Sequence, residues 1–436
     1  MSRYDEVRFR ATHNSYSGGA RGSVPDQLDA GCRLVELDVH ARGFAEIGDF
    51  RVGHLKPGAE VSLGGGNPDS LRLRDWLAAV ARWSDAHVHA PITVVLDSKD
   101  DLLSPSCGSP EDLNRIVEEA LGPRLFTPAD LDAAGGWPDL TELTSRVLCV
   151  LSGNGNTRLS YRWAFGAEPA LATNARGDAV LVYVATSGDL HAFAGEVRTD
   201  GAIAWQSKSS YRYSALPLSQ PAVAVNDEGW IVAAHRFVPP EGFTGGTRLE
   251  SLVGRIGADR RVSWFGPGVY GIGSQVRLAI EGTDVVEWHV EGGVSRQRRG
   301  VLNTRRGQVR WGSGRRAEAD PPAPDSAIHG GRTYRCATDD GGAVLAGPEG
   351  GLAPARFRPV LFVEEQKGDD RGSVRDALFF AADAKDRAAL DAARARGQVV
   401  RAWGVEEADL PCPAQIAATD APRAAWYEAA TRDAVA

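Results

Sequence analysis

Leu34-Val35-Glu36-Leu37-Asp38-Val39-His40 and Ile92-Thr93-Val94-Val95-Leu96-Asp97-Ser98-Lys99 decide the fold. Both are short, mainly aliphatic runs, as expected of strands covered on both faces. Near its end each carries a pair of ionisable residues two apart, Glu36 with Asp38 and Asp97 with Lys99. Side chains alternate along a strand, so each pair projects to one face. Between the two runs, Leu73, Trp76, Leu77 and Val80 recur at helical spacing, with Asp69 or Ser70 available as the cap. After the second run, Pro110 opens a helical stretch over Glu111–Leu121, and Gly122 closes it. Such strand–helix alternation is the signature of a parallel sheet covered by helices.

Outward from this centre, Glu6–His13 and Arg146–Leu151 complete four strands in the first 155 residues. The pattern resumes with Pro359–Glu364, Asp376–Ala382, Gln398–Trp403 and Gln415–Thr419, and with an Ala-rich helix over Asp386–Arg396. Four and four make eight, the number that closes a TIM-type (β/α)8 barrel. The stretch between them is different: rich in Gly, with short strands, turn signals and almost no helical period. It also repeats. Pro169-Ala170-Leu171-Ala172-Thr173-Asn174-Ala175-Arg176-Gly177-Asp178 resembles Pro221-Ala222-Val223-Ala224-Val225-Asn226-Asp227-Glu228-Gly229-Trp230, and weaker copies begin at Gln275 and Thr333. A strand ending in Trp205, Trp264 or Trp311 follows three of the copies, and Tyr161-Arg162-Trp163 precedes the first. Repeats of about 50 residues match propeller blades. The expected fold is therefore an α/β barrel interrupted after its fourth strand by an all-β, propeller-like domain whose first strand completes its last blade. An irregular β-sandwich is the alternative for the insert. The expected bounds are 1–157 and 351–436 for the barrel halves and 158–350 for the insert. Because the insert leaves from the C-terminal end of a barrel strand, topology puts it at the face where such barrels build active sites.

Composition narrows the function. The 436 residues carry a net charge of -8, which argues against a nucleic-acid partner, since such proteins usually show a basic footprint. No run approaches the roughly 20 apolar residues of a membrane span, and the N-terminus lacks the apolar core of a signal peptide, so secretion would require that a leader has been trimmed. Five scattered cysteines, with no CxxC pair, indicate neither a disulfide framework nor a zinc site. His87-x-His89 has metal-like spacing but precedes a strand, at the stability end of the barrel, and reads as a surface turn. The tract Arg296–Arg316 reads as a solvated strand face, with transient contact to an anionic membrane surface as the alternative.

The chemistry concentrates at the strand ends. His13-Asn14 ends the first strand, Glu36 and Asp38 face one way from the second, and Asp97 and Lys99 from the third. His54 follows the second strand after a loop. Carboxylates inside a barrel cost several kcal/mol unless paired or metal-bound. Three of them with an Asn amide oxygen form an oxygen-rich set suited to a hard cation such as Ca²⁺ or Mg²⁺. The alternative is an interior ion-pair network around Lys99.

Thr12-His13-Asn14-Ser15-Tyr16, Gln27-Leu28, Gly31, Glu36-Leu37-Asp38-Val39 and Val52-Gly53-His54 together resemble the catalytic region of phosphoinositide-specific phospholipases C, above all the bacterial calcium-dependent branch known from streptomycetes. Trp83-Ser84, the Pro91–Asp100 run, Gln398-Val399-Val400-Arg401 and Ala418-Thr419-Asp420 fit the same branch. The resemblance covers about 1–155 and 355–436, not the insert, whose ligand stays unknown. It implies Ca²⁺ held by Asn14, Glu36, Asp38 and Asp97, with His13 and His54 as the catalytic pair and Lys99 and Arg401 touching phosphate or inositol. The implied activity is cleavage of phosphatidylinositol or a related inositol phosphodiester by attack of the inositol 2-hydroxyl. The branch usually has Glu where Asp97 stands, so this ligand is one methylene shorter. Two alternatives are a glycerophosphodiester phosphodiesterase, which would show His-Arg rather than His13-Asn14, and a recognition protein on a barrel of lost or changed activity.

Overall fold

The computed structural model describes residues 2–435 apart from 105, 162–165, 186–188, 206–211, 215–217, 238–246, 259, 341, 356–357 and 370–376. The chain forms two compact units, Met1–Trp163 with Arg358–Ala436, and Ala164–Phe357.

The first unit is a closed barrel of eight parallel strands. In chain order they are Phe9–Thr12, Cys32–His40, Ile92–Ser98, Val147–Gly153, Phe362–Gln366, Phe379–Asp383, Val399–Trp403 and Ile416–Thr419. Each pairs with its sequence neighbour, strand four pairs with strand five across the insertion, and strand one closes on both strand two and strand eight. All eight expected strands are present, with no end displaced by more than three residues. The short strand Arg51–Val52 adds antiparallel to strand two, and nothing in its two residues announces it.

The helical coat is less complete than a full (β/α)8 alternation. Helices Val24–Asp29, Leu73–Ala86, Pro110–Leu121, Gly155–Tyr161, Arg387–Ala395 and Ala425–Ala430 follow their strands. Only the 3-10 turn Glu407–Asp409 joins strands seven and eight, in a link where Pro411 and Pro413 remove two helix donors. Helix Pro110–Leu121 starts as its sequence demands: Ser109 caps it, Pro110 sits in the first turn, and the Asp112 carboxylate accepts from the Ser109 backbone. Helix Leu73–Ala86 departs from expectation. Arg72 is its cap residue, and Ser70 Oγ instead accepts from the Arg72 backbone at 3.0 Å.

One end of the barrel is sealed by apolar packing. Tyr4, Phe9, Phe362 and Phe379 are buried there, with Trp137 stacked on Tyr4 at 4.6 Å. His87 and His89 are not a simple surface turn: His89 is buried, with its ring nitrogens against Ser84 Oγ and the Ala90 carbonyl, while His87 stacks on Trp83. Polar side chains collect at the other end, where the strands finish.

The second unit holds four antiparallel sheets of four or five strands, each built from consecutive segments. Their first strands, Gly166–Thr173, Leu218–Val225, Ser274–Glu281 and Ser326–His329, all line one cavity of about 210 Å³, which is a four-bladed, propeller-like arrangement. Trp205, Trp264 and Trp311 end outer strands of the first three sheets, as their spacing predicts. The expected closure by the segment before the first repeat does not occur at Tyr161. That residue ends a barrel helix, and its hydroxyl meets the backbone N–H of Val360 and Leu361. Arg162 and Trp163 lie outside the described residues, and the fourth sheet takes its last strand, Ala353–Pro354, from its own segment.

The repeated turns staple neighbouring blades. Asn174 Nδ2 donates to the Asn226 carbonyl at 2.8 Å, Asn226 Nδ2 to the Gly282 carbonyl at 2.6 Å, and the His329 ring to the Asn174 carbonyl at 2.8 Å. The turns at Asn174 and Asn226 satisfy their own backbone and also reach the next blade, which accounts for the Asn shared by the first two repeats, and His329 makes the corresponding link from the fourth sheet to the first.

Candidate active site

Parallel pairing places the acidic residues. Asp38 lies directly beside Asp97 in the register of strands two and three, and Asp97 beside Ser152. One oxygen each from Glu36, Asp38 and Asp97 lies within 4.8 Å of the others. Gly153 makes room: at φ +80 a Cβ there would stand 2.3 Å from Asp97 Oδ1. His13, Glu36, Asp97, Lys99, Arg401 and Trp403 line a cavity of about 440 Å³ at this end of the barrel. Asp38 sits behind them, fully buried.

Two cations already meet these carboxylates. Lys99 Nζ is 2.8 Å from Asp38 Oδ2 and 3.2 Å from Asp97 Oδ1. Arg401, itself 2% exposed, donates to both oxygens of Glu364 at 2.9 and 2.8 Å, and its Nη1 is 3.2 Å from Glu36 Oε1. With all four carboxylates ionised, Glu36, Asp38, Asp97 and Glu364 against Lys99 and Arg401 leave an excess of two negative charges. That excess, and a buried Glu36 Oε2 with no hydrogen-bond partner among the described residues, fit a divalent cation of the oxygen-seeking kind. Glu36, Asp38 and Asp97 would hold it, in competition with the ammonium of Lys99.

Asn14 belongs to the same group through Tyr16. Its backbone is left-handed at φ 49, which turns the chain directly after strand one. The Tyr16 hydroxyl lies 2.9 Å from both Asn14 Oδ1 and Asp38 Oδ2. A single phenolic proton serves one acceptor at a time, so a protonated Asp38 completes the pair and a cation would replace that proton.

Electrostatics follow from this crowding. Burial, then the charges of Asp97 and Glu36, push the Asp38 carboxyl up to about 7 against the opposing pull of Lys99. Burial also raises Asp97, although Lys99 works against it. For Glu36 burial acts upward as well, but Arg401, His13 and Lys99 outweigh it and hold the carboxyl below its usual value. A cation must therefore displace a proton from Asp38 at acidic pH. The expected result is a Ca²⁺ affinity that falls by about tenfold per pH unit below pH 7, as for release of one proton, and levels off above it. Calorimetric titration at pH 5, 6, 7 and 8 checks this, and a pH-independent affinity contradicts it.

His13 is set up as a proton carrier. Its Nδ1 is 3.1 Å from Asp420 Oδ1, which also pairs with Arg21. With the Nδ1 proton directed at Asp420, Nε2 is left as the free lone pair. Burial disfavours the imidazolium, but the Asp420 hydrogen bond and the Glu36 charge prevail, so the His13 pKa is raised. Trp403 stacks alongside at 6.0 Å.

His54 is placed differently. It lies on the loop after Arg51–Val52, with Nδ1 2.9 Å from Glu60 Oε1, and does not line the cavity that His13 shares. The buried His40 ring donates from Nε2 to the Gly53 carbonyl at 2.8 Å and fixes this loop to strand two. The structure thus brings together His13, Glu36, Asp38, Asp97, Lys99 and Arg401, joins Asn14 to them through Tyr16, and leaves His54 on a neighbouring loop. Glu364, Asp420, Tyr16 and Trp403 are additional. Asp420 follows strand eight directly, a strand-end position that carried a signal, whereas Glu364 lies in the middle of strand five.

No family model and no curated protein matches the chain. Among solved structures it is similar to a calcium-dependent phosphoinositol-specific phospholipase C from a Gram-negative bacterium, Pseudomonas sp., at 27% identity over 37% of this chain and 62% of that one, TM-score 0.31. A myoinositol complex of the Pseudomonas enzyme matches at 28% over 37% and 61%, TM-score 0.32. A Ca²⁺-dependent phosphatidylinositol-specific phospholipase C from Streptomyces antibioticus matches at 25% over 35% and 54%, TM-score 0.30. The chain thus spans less than two thirds of the length of these structures.

Proposed function

We propose that this chain is a calcium-dependent phosphodiesterase that cleaves phosphatidylinositol or a related inositol phosphodiester. The observation that carries this reading is the convergence of Glu36, Asp38 and Asp97 within 4.8 Å, beside His13, at the finishing ends of parallel barrel strands. The motifs around His13, Asp38 and Asp97 supply the substrate class by resemblance.

In this reading His13 Nε2 takes the proton of the inositol 2-hydroxyl, while Asp420 steadies the imidazolium that forms. The 2-oxygen bonds to phosphorus, and the bond from phosphorus to the diacylglycerol oxygen breaks. His54, oriented by Glu60, returns a proton to that leaving oxygen. Ca²⁺, when bound, supplies positive charge that acidifies the 2-hydroxyl and offsets charge on the phosphoryl oxygens. Lys99, partly exposed on the cavity, offers its ammonium to the phosphate, and Arg401 supplies fixed positive charge from the cavity wall. The product is a cyclic inositol phosphate.

The Lys99 bridge between Asp38 and Asp97 favours a second reading, an ion-pair network in a barrel that recognises rather than cleaves. Two measurements separate them. Phosphatidylinositol cleavage should appear with Ca²⁺ and vanish with EGTA. Ca²⁺ at a hundredfold excess over its dissociation constant should also raise the unfolding free energy by about 2.7 kcal/mol, and Glu36→Gln should remove that rise. An unchanged melting temperature with Ca²⁺ sinks the metal site; a rise without cleavage supports the recognition protein.

A further inference from the structure

The third sheet of the insert carries a charge pattern that the barrel chemistry does not use. From Gly292 to Ala317 there are eight arginines and no Asp, Glu or Lys. That is eight positive charges in a chain of net charge -8, which leaves -16 for all other residues. The pairing concentrates these arginines. Strand Val294–Asn303 has Arg296 directly opposite Arg316, and Val301 directly opposite Arg310. Arg299 lies two residues from Val301, so Arg299, Val301 and Arg310 share one face. Arg305 and Arg306 occupy the hairpin that joins this strand to Gln308–Trp311.

Neutralisation is partial. Arg296 pairs with Glu291 and Arg315 with Glu318. Among the described residues Arg299, Arg305, Arg306, Arg310 and Arg316 make no ion pair, and all five are exposed. Arg296 and Arg316 stand directly opposite one another, and Glu291 offsets only Arg296. Val301, on the face of Arg299 and Arg310, is 43% exposed, and Val294, on the other face of the strand with Arg296, is 42% exposed. The neighbouring strand Gly268–Gly271 carries the exposed Val269 and abuts Arg298, whose guanidinium donates to the Tyr270 carbonyl.

We propose that this outer part of the third sheet docks on an anionic phospholipid surface. A bilayer of that kind takes both components, cationic side chains at the headgroups and small apolar side chains at the interface. The basic surface stands on its own geometry; its assignment to a lipid bilayer rests on the reading of the barrel as a lipid phosphodiesterase. A nucleic acid would use the arginines and leave the exposed valines without a role.

The test sediments the full chain with phosphatidylcholine vesicles, with and without phosphatidylglycerol. Neither lipid carries inositol, so binding here and cleavage by the barrel succeed or fail separately. Binding should need phosphatidylglycerol and weaken as salt rises. Each basic residue at such a surface contributes about fivefold to partitioning, so Arg299→Glu with Arg310→Glu should lower it by at least about 25-fold. Cleavage of a soluble inositol phosphodiester should stay unchanged in that variant. If the pair fails to fold, Arg305→Glu with Arg306→Glu in the hairpin carries the same expectation. Absence of binding at low salt, equal binding by a folded variant, or tighter binding to a DNA duplex than to the vesicles overturns the proposal.

Discussion

Replacing Arg401 with methionine is expected to lower the unfolding free energy by about 3–5 kcal/mol, the usual result of removing one partner from a buried ion pair. Arg401 is the only cation that meets the Glu364 carboxylate among the described residues, and it also faces Glu36. Both carboxylates are almost completely buried. Without the guanidinium they must take up protons or draw in water, and each route costs stability. The companion variant Arg401→Met with Glu364→Gln should recover much of the loss, because the second change removes the stranded charge. Urea unfolding of the three proteins measures this. If Arg401→Met alone stays within about 1 kcal/mol of the parent, the site is not held by this pair.

His13→Ala should reduce turnover of an inositol phosphodiester by at least about a hundredfold while the protein stays folded. Asp420→Asn should cost less and carry a distinct signature. Asp420 raises the His13 pKa, and a general base works only when neutral. The acid limb of the rate profile should therefore move to lower pH in Asp420→Asn. An unmoved limb assigns that limb to a group other than His13, and near-full activity of His13→Ala removes this histidine from the mechanism. His54→Ala is the matching test for the acid, with the same expected size.

Much of this was legible in the sequence for local reasons. The barrel strands are short and mostly apolar, and their C-terminal ends read to within two residues because Thr12-His13, Asp38 and Asp97-Ser98 switch from apolar to polar where the strands emerge. The acidic cluster was legible because alternation along a strand is strict: Glu36 and Asp38 had to share a face. What remained hidden depended on distant partners. Glu364 and Arg401 are 37 positions apart and meet only because strands five and seven flank strand six. Asp420 meets His13 across the closure of the barrel, 407 positions away. No periodicity reports such encounters. The helical coat was over-read for the opposite reason: a barrel implies alternation, but the link between strands seven and eight is too short and too rich in proline to supply its helix. In the insert, the copies at Pro169, Pro221 and Gln275 fall in the first strands of three blades, but the copy at Thr333 falls in the second strand of the fourth, Arg332–Thr338, and Tyr161 belongs to a helix because an aromatic residue before a repeat looks alike in a strand and at a helix end.

The register of Val150 with Phe362 joins two strands that the ribosome makes far apart in time. About 200 residues separate Gly153 from Phe362, and at roughly 5–20 residues per second their synthesis takes about 10–40 s. Throughout that interval the first four barrel strands exist as an open half with two unsatisfied margins, those of Phe9–Thr12 and Val147–Gly153. Open margins of this kind recruit other chains. A nascent chain of this protein therefore depends on rapid folding of the insert and on holding factors at the ribosome more than its finished barrel would suggest. Slowing translation within the insert should lower soluble yield even though no residue of the product changes.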